Sequence, residues 1–203
     1  MMQTPTLPAN AATYTGALAE FLAHFDTTPV ERVAERILKL WSEDRQLFLC
    51  GNGGSAANAL HLANDFLYGI APGRRALRVE CLCANPAVLT CLANDTGYDN
   101  VFALQLRTKA VAGDGLIVFS GSGNSGNILH AIREAHQMGL WTCGILGFDG
   151  GAALHLVDDA IHFPLEDMEM SEDLQMVVGH SIKRFLIEHA PKRLAEAGVP
   201  HAG

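Results

Sequence analysis

The sequence is short of positive charge. Lys and Arg together number 14, against 22 Asp and Glu, giving a formal net charge of −8. Non-specific nucleic-acid binding needs a basic surface that replaces counterions, so that class is excluded. No apolar run approaches 18 uncharged residues, and no membrane span is expected. The start, MMQTPTLPANAATYTG, lacks a basic segment followed by an apolar one and is not read as a signal peptide. Internal repeats and low-complexity segments are absent as well. Charged residues make up only 18% and apolar residues 49%, which excludes a disordered chain. The 203 residues suffice for one well-buried domain. An apolar excess with little charge leaves two readings: a large core, or apolar surface covered by another copy. The five cysteines are odd in number and sit mostly in apolar runs. They read as buried free thiols of a reducing cytoplasm. Cys81 and Cys83 would share one face of a strand and are expected to pack in the core rather than bind metal.

The first ten residues, with two prolines, are expected to be loose. Residues 11–26 read as a helix with Leu18, Phe21, Leu22 and Phe25 on one side. Thr28-Pro29-Val30-Glu31 reads as a capping box opening a second helix, with Val33, Ile37 and Trp41 at helical spacing. These helices, over 11–44, are suited to packing on another subunit or on the same domain. From residue 46 short apolar runs alternate with helical stretches. The runs are 47–50, 77–83, 116–119, 141–146 and 160–163; the helical stretches are about 55–69, 85–94, 125–138 and 172–189. Continuous apolar strands separated by helices predict a doubly wound, three-layer α/β sandwich with a central parallel sheet, spanning 1–203 as one domain. In such folds ligands sit at the carboxyl ends of the strands.

Two strand ends carry the clearest chemistry. One is Cys50-Gly51-Asn52-Gly53-Gly54-Ser55, the other Ser120-Gly121-Ser122-Gly123-Asn124-Ser125, and each leads into a helix. Such turns offer backbone N–H groups, hydroxyls and a helix dipole to an anion. Neither fits the Walker or the dinucleotide fingerprint. One glycine-rich turn is often only a tight turn; two of them, dense in Ser and Asn, point to a phosphate or sugar-phosphate site. The helix after the first turn holds His61 and Asp65, four apart and so on one face. The last helix holds Glu172, Asp173, Gln175 and His180. A carboxylate and a histidine from two helices could supply the base and acid of a proton-transfer reaction. The remaining histidines have no partner at useful spacing. The acidic stretch 166–173 reads as a solvated loop and helix start, with Glu172 exempted.

The GNGGSA turn followed by His61 and Asp65, together with SGSGNSGN, resembles the sugar isomerase (SIS) domain, and within it the phosphoheptose isomerases. The likeness includes Ala93-Asn94-Asp95, the turn at Asp149-Gly150-Gly151 and the last helix with His180. It implies a flavodoxin-like sandwich and aldose–ketose isomerisation of sedoheptulose 7-phosphate to a glycero-manno-heptose 7-phosphate through an enediolate. It implies a cytoplasmic homotetramer with active sites between subunits, and a divalent metal, zinc by preference. Asp65 falls on the family's catalytic Glu and His180 on its catalytic His. His61, Asp65, Glu172 and His180 fall on zinc positions. Asn52, Gly53, Gly54, Asn94, Asp95, Ser120, Gly121, Ser122 and Ser125 fall on substrate contacts, with Ser55 among the phosphate hydroxyls; Asp65 and Glu172 also face the sugar. Glu169 falls where the family has an Asp near the substrate.

The sequence departs from that pattern at three places. Asp65 replaces a Glu and is about 1.5 Å shorter. Glu172 replaces a Gln and makes the site more anionic, which favours a divalent cation. Gly121 stands where the family has Thr. Glu172 and His180 are also eight residues apart, about 12 Å along a straight helix, so one ion takes both only through a bend or a second subunit. The competing readings are an SIS protein that binds a protein partner, such as a replication-initiation regulator, and a sugar-phosphate sensor.

Overall fold

The computed structural model describes residues 10–190. Helix α1 spans Ala11–His24 and α2 Thr28–Ser42. Strand β1 (Gln46–Gly51) leads into α3 (Gly53–Asn64), which continues as a π-helical turn over Asp65–Gly69. There follow β2 (Arg78–Cys81), α4 (Pro86–Thr96), α5 (Ala103–Lys109), β3 (Gly115–Ser120) and α6 (Gly126–Gln137). Strand β4 (Trp141–Leu146), α7 (Gly151–Leu154), β5 (Asp159–His162) and α8 (Met168–Glu188) complete the order.

The five strands lie in the order β2-β1-β3-β4-β5, and every pairing is parallel. Both faces of the sheet are covered, which explains the unbroken apolar runs of β1, β3 and β4. In β1, Leu47 and Leu49 join the core under α2, α3 and α8, while Phe48 and Cys50 join the core under α5 and α6. In β3, Ile117 and Phe119 divide from Leu116 and Val118 in the same way. No helix among the described residues is long and apolar enough to cross a membrane.

The helix ends differ in part from the sequence expectations. The capping box lies at α1, where the Asn10 side chain accepts from Thr13 N at 3.0 Å and Thr13 Oγ1 accepts from Asn10 N at 3.2 Å. The expected box at Thr28 does not form: α2 has no side-chain cap, and Thr28 N donates to Asp26 Oδ1 instead. Residues 1–9 of the segment expected to be loose lie outside the described residues. Helix α2 buries Val33, Ile37 and Trp41 in its own chain's core, whereas α1 has no buried residue. Tyr14 ties α1 to α8 by donating to Asp173 Oδ2 at 2.7 Å, and burial together with that acid raises its phenol above the ordinary value. Helix α5 was missed because seven residues carry too little periodicity to read.

All five cysteines are free; Cys91 alone is exposed. Strand β2 ends at Cys81, so Cys83 lies in the following turn and the two do not share a strand face. Burial pushes the Cys50 and Cys143 thiols up, which suits packing rather than reactivity.

One ion pair between an exposed arginine and a buried glutamate gives the fold a pH dependence. Glu134 on α6 is buried and accepts from Arg107 Nε at 2.9 Å and Nη2 at 2.6 Å. The guanidinium holds the Glu134 carboxyl below its ordinary value. Its contribution is therefore complete above the unfolded carboxylate value and is lost as pH falls through the lowered one. Arg107→Ala is expected to lower Tm by about 2–4 °C at pH 7. Thermal melts should show that difference shrinking as the pH drops below about 4.

Candidate active site

The registers Gly51↔Phe119 and Cys50↔Val118 set the ends of β1 and β3 side by side. From β1 the chain winds to β2 on one side, and from β3 to β4 and β5 on the other. Both glycine-rich turns thus meet at the topological switch point, where doubly wound sheets bind ligands. They enclose a pocket of about 250 Å³ lined by Asn52, Gly53, Gly54, Ser55, Phe119, Ser120, Gly121, Ser122, Ser125, Met168 and Glu172. Helices α3 and α6 start at this pocket without side-chain caps, whereas α1, α4 and α8 are capped by Asn10, Asn85 and Asp167. Their leading N–H groups remain available to an anion.

Polar contacts shape the pocket. Ser120 Oγ accepts from Gly123 N at 3.0 Å, and Ser122 Oγ from Asn124 N at 3.3 Å. Asn52 is held by the reciprocal amide of Asn127 at 2.8–2.9 Å and by the Tyr98 hydroxyl at 2.8 Å. Buried Gln175 donates to Ser55 Oγ at 3.2 Å and accepts from Asn58 at 3.0 Å. The Glu172 carboxylate lies against Gly54, in the space that a Cβ there would take. A Cβ on Gly121 would lie 2.4 Å from Met168 Sδ. Met168 therefore fills the space of the side chain that Gly121 lacks. Asn94 and Asp95 do not line this pocket; they are exposed at the end of α4 and bonded to each other at 2.8 Å.

Helices α3 and α8 run parallel, and a second cluster lies further along their seam. His61 Nε2 and His180 Nε2 are 3.1 Å apart. Each is 3.5 Å from Asp65 Oδ2. The imidazoles are about half exposed, while the Asp65 side chain is only 8% exposed. Asp65 sits on the π-helical turn, whose wide closure is the bond from Ile70 N to Asp65 O at 3.1 Å. Its Oδ1 accepts from Lys183 Nζ at 2.7 Å. Its Oδ2 is the one buried side-chain oxygen or nitrogen among the described residues without a hydrogen-bond partner. Two imidazole nitrogens and a carboxylate oxygen suit a first-row divalent ion and leave coordination positions open, as catalytic zinc sites do. Together with the orphaned Oδ2, this donor set fits a metal. Glu172 is not in this group: two turns earlier on α8, its carboxylate faces Gly54. Gly54 and His61 are seven residues apart, so pocket and cluster are separated by about 10 Å along the seam.

Tyr98, Asn127 and Lys183 were not legible as site residues. Their partners lie 46, 75 and 118 residues away, and none is part of a motif. Of the histidines without sequence partners, His130 takes a structural contact with Asn100, His136 with Thr142 and His162 with the Phe148 carbonyl, and His201 lies outside the described residues.

Comparison with known proteins agrees with this geometry. Residues 13–147 match the SIS domain family. The phosphoheptose isomerase of Clostridium acetobutylicum is 35% identical over 75% of this chain and 78% of its own length. That of Aliarcobacter butzleri is 34% identical over 81% of this chain and 92% of its own. The solved structure of phosphoheptose isomerase GmhA from Neisseria gonorrhoeae superposes with a TM-score of 0.81 at 27% identity, covering 87% of this chain and 96% of that one. The chain belongs to the SIS-domain family and, within it, to the phosphoheptose isomerases.

Proposed function

We propose that the chain is an aldose–ketose isomerase that interconverts sedoheptulose 7-phosphate and D-glycero-D-manno-heptose 7-phosphate. The observation that carries this reading is the seam between α3 and α8. It sets an anion pocket at one end and a proton-transfer group at the other, about 10 Å apart. An extended sugar phosphate has its phosphate and its carbonyl at opposite ends. The family relationship supports the choice of a heptose.

In this reading the phosphate is bound by Ser55, Ser120, Ser122, Ser125 and the N–H groups of α3 and α6. Asn52, held by Tyr98 and Asn127, orients a sugar hydroxyl, as do Asn94 and Asp95 if the substrate reaches the end of α4. Asp65 Oδ2 removes the proton from C1 of the ketose and returns it to C2, and His180 moves a proton between the two oxygens. His61, Asp65 and His180 would hold the divalent ion, zinc by preference, in alternation with their proton-transfer roles, since a lone pair bound to the ion cannot also take a proton. When bound, that ion supplies Lewis-acid stabilisation of the enediolate charge. Glu172 is assigned to the sugar-phosphate pocket here, and to zinc only if a neighbouring subunit brings its own cluster near.

We take the enzyme to be a cytoplasmic homotetramer. Leu60, Leu67, Tyr68 and Val177 are exposed on the elements that carry His61, Asp65 and His180. Covering them by another copy would shield the site from water. The partner-binding alternative is not favoured, because the whole proton-transfer set is retained.

The test is conversion of sedoheptulose 7-phosphate by the purified chain, with added zinc and with a chelator, alongside its mass by ultracentrifugation. Turnover with zinc is expected. Sugar-phosphate binding without turnover in either condition would overturn the assignment. Glu172 should act as an internal repeller of the phosphate. At an effective dielectric of 20–80, a like charge a few ångström away costs on the order of 1 kcal/mol or more. Glu172→Gln is therefore expected to lower KM about 10-fold with kcat little changed, as steady-state kinetics would read.

A further inference from the structure

Lys183 has no part in the proton transfer described above. It lies three residues beyond His180 on α8, on the same helix face. Its side chain is 27% exposed, and its Nζ donates to Asp65 Oδ1. Gly69 makes room for the stem, since a Cβ there would lie 3.0 Å from Lys183 Cε. The ammonium is the only group among the described residues that hydrogen-bonds the Asp65 side chain. A buried carboxylate without such a partner is costly. The bond also stops the carboxylate from turning about its last torsion, and it leaves Oδ2 aimed between the two imidazoles.

We propose that Lys183 is a positioning residue of this site: it clamps Asp65 by Oδ1, presents Oδ2 as the single free carboxylate oxygen, and restrains the affinity for a divalent cation. The restraint is electrostatic, because the ammonium and the ion share one carboxylate. At a separation of a few ångström and an effective dielectric of 20–80, their repulsion corresponds to about 10-fold in metal affinity. The clamp also suits the shorter acid. Asp reaches less far than Glu and has one torsion fewer, so fixing its plane fixes the position of the proton acceptor.

The experiment uses the full chain as wild type, Lys183→Met, which keeps the stem without the charge, and Lys183→Arg. Zinc affinity is read by competition with a chromophoric chelator, Tm in excess chelator, and kcat and KM on sedoheptulose 7-phosphate. Lys183→Met is expected to bind zinc about 10-fold more tightly. It should lose about 10-fold or more in kcat with KM within about twofold. Its Tm without metal should fall by about 5 °C. Lys183→Arg should restore zinc affinity to within about threefold of wild type, because the charge is restored. In an Asp65→Asn background, Lys183→Met should leave Tm unchanged. Wild-type zinc affinity in Lys183→Met, or an equal Tm loss in both backgrounds, would overturn the proposal. The zinc and kinetic arms rest on the isomerase reading, whereas the Tm coupling does not. A wild type that binds no zinc would count against that reading, and the coupling alone would then decide for or against the clamp.

Discussion

Asp65→Asn is expected to lower kcat by about 10³-fold or more while the variant still folds and binds sugar phosphate. The substitution keeps the shape of the side chain and removes only its charge and basicity. Those are what the site uses. Asp65 Oδ2 is buried, has no hydrogen-bond partner, and lies 3.5 Å from both histidine nitrogens. An amide there cannot accept a proton from carbon and is a poor ligand for a divalent ion. The pocket lies about 10 Å away along the seam, so KM should change far less than kcat. Steady-state kinetics with circular dichroism separate this outcome from misfolding. An Asp65→Asn enzyme with more than about a tenth of wild-type kcat would remove Asp65 from the proton transfer.

His180→Ala ranks second. A kcat loss of about 10²–10³-fold is expected, together with loss of tight zinc binding. The imidazole is half exposed and makes no contact that the core depends on, so the cost in stability should be small. His61 Nε2, His180 Nε2 and Asp65 Oδ2 converge on one point, so the groups should act as a unit. The double variant with Asp65→Asn should then be little slower than Asp65→Asn alone. Fully multiplicative losses would mean that the two residues serve separate steps.

The centre of the sheet was legible because β1, β3 and β4 are buried on both faces and so read as unbroken apolar runs, whereas the edge strands β2 and β5 are only partly buried. The switch-point pocket was legible too, since glycine-rich turns after two such runs have few other uses. The sequence also located the His61–Asp65 pair through its four-residue spacing, and helix rise alone separated Glu172 from His180. What stayed hidden depends on contacts across the chain. Lys183 reaches Asp65 over 118 residues, and Tyr98 reaches Asn52 over 46. No local pattern encodes either. The misplaced capping box has a local cause. Thr28 and Glu31 have the right spacing, but Asp26 takes the N–H of Thr28, while Asn10, counted with the loose start, closes a true box with Thr13. The C-x-C pair failed as a strand pattern because β2 stops at Cys81.

The uncapped starts of α3 and α6 explain how a chain of net charge −8 can attract a phosphate. Among the described residues no Lys or Arg lines the pocket, and Glu172 opposes the anion. Helix dipoles and hydroxyls must supply the attraction.

The central claim is that the α3–α8 seam moves a proton between C1 and C2 of a heptose phosphate. The direct measurement is nuclear magnetic resonance of sedoheptulose 7-phosphate incubated with the zinc-loaded chain in deuterium oxide. The expected result is an aldose 7-phosphate, with deuterium at C2 in the fraction of turnovers in which the proton held by Asp65 exchanges with solvent, formed by wild type and absent with Asp65→Asn. Unchanged, unlabelled ketose in the presence of a chain that binds it would contradict the claim.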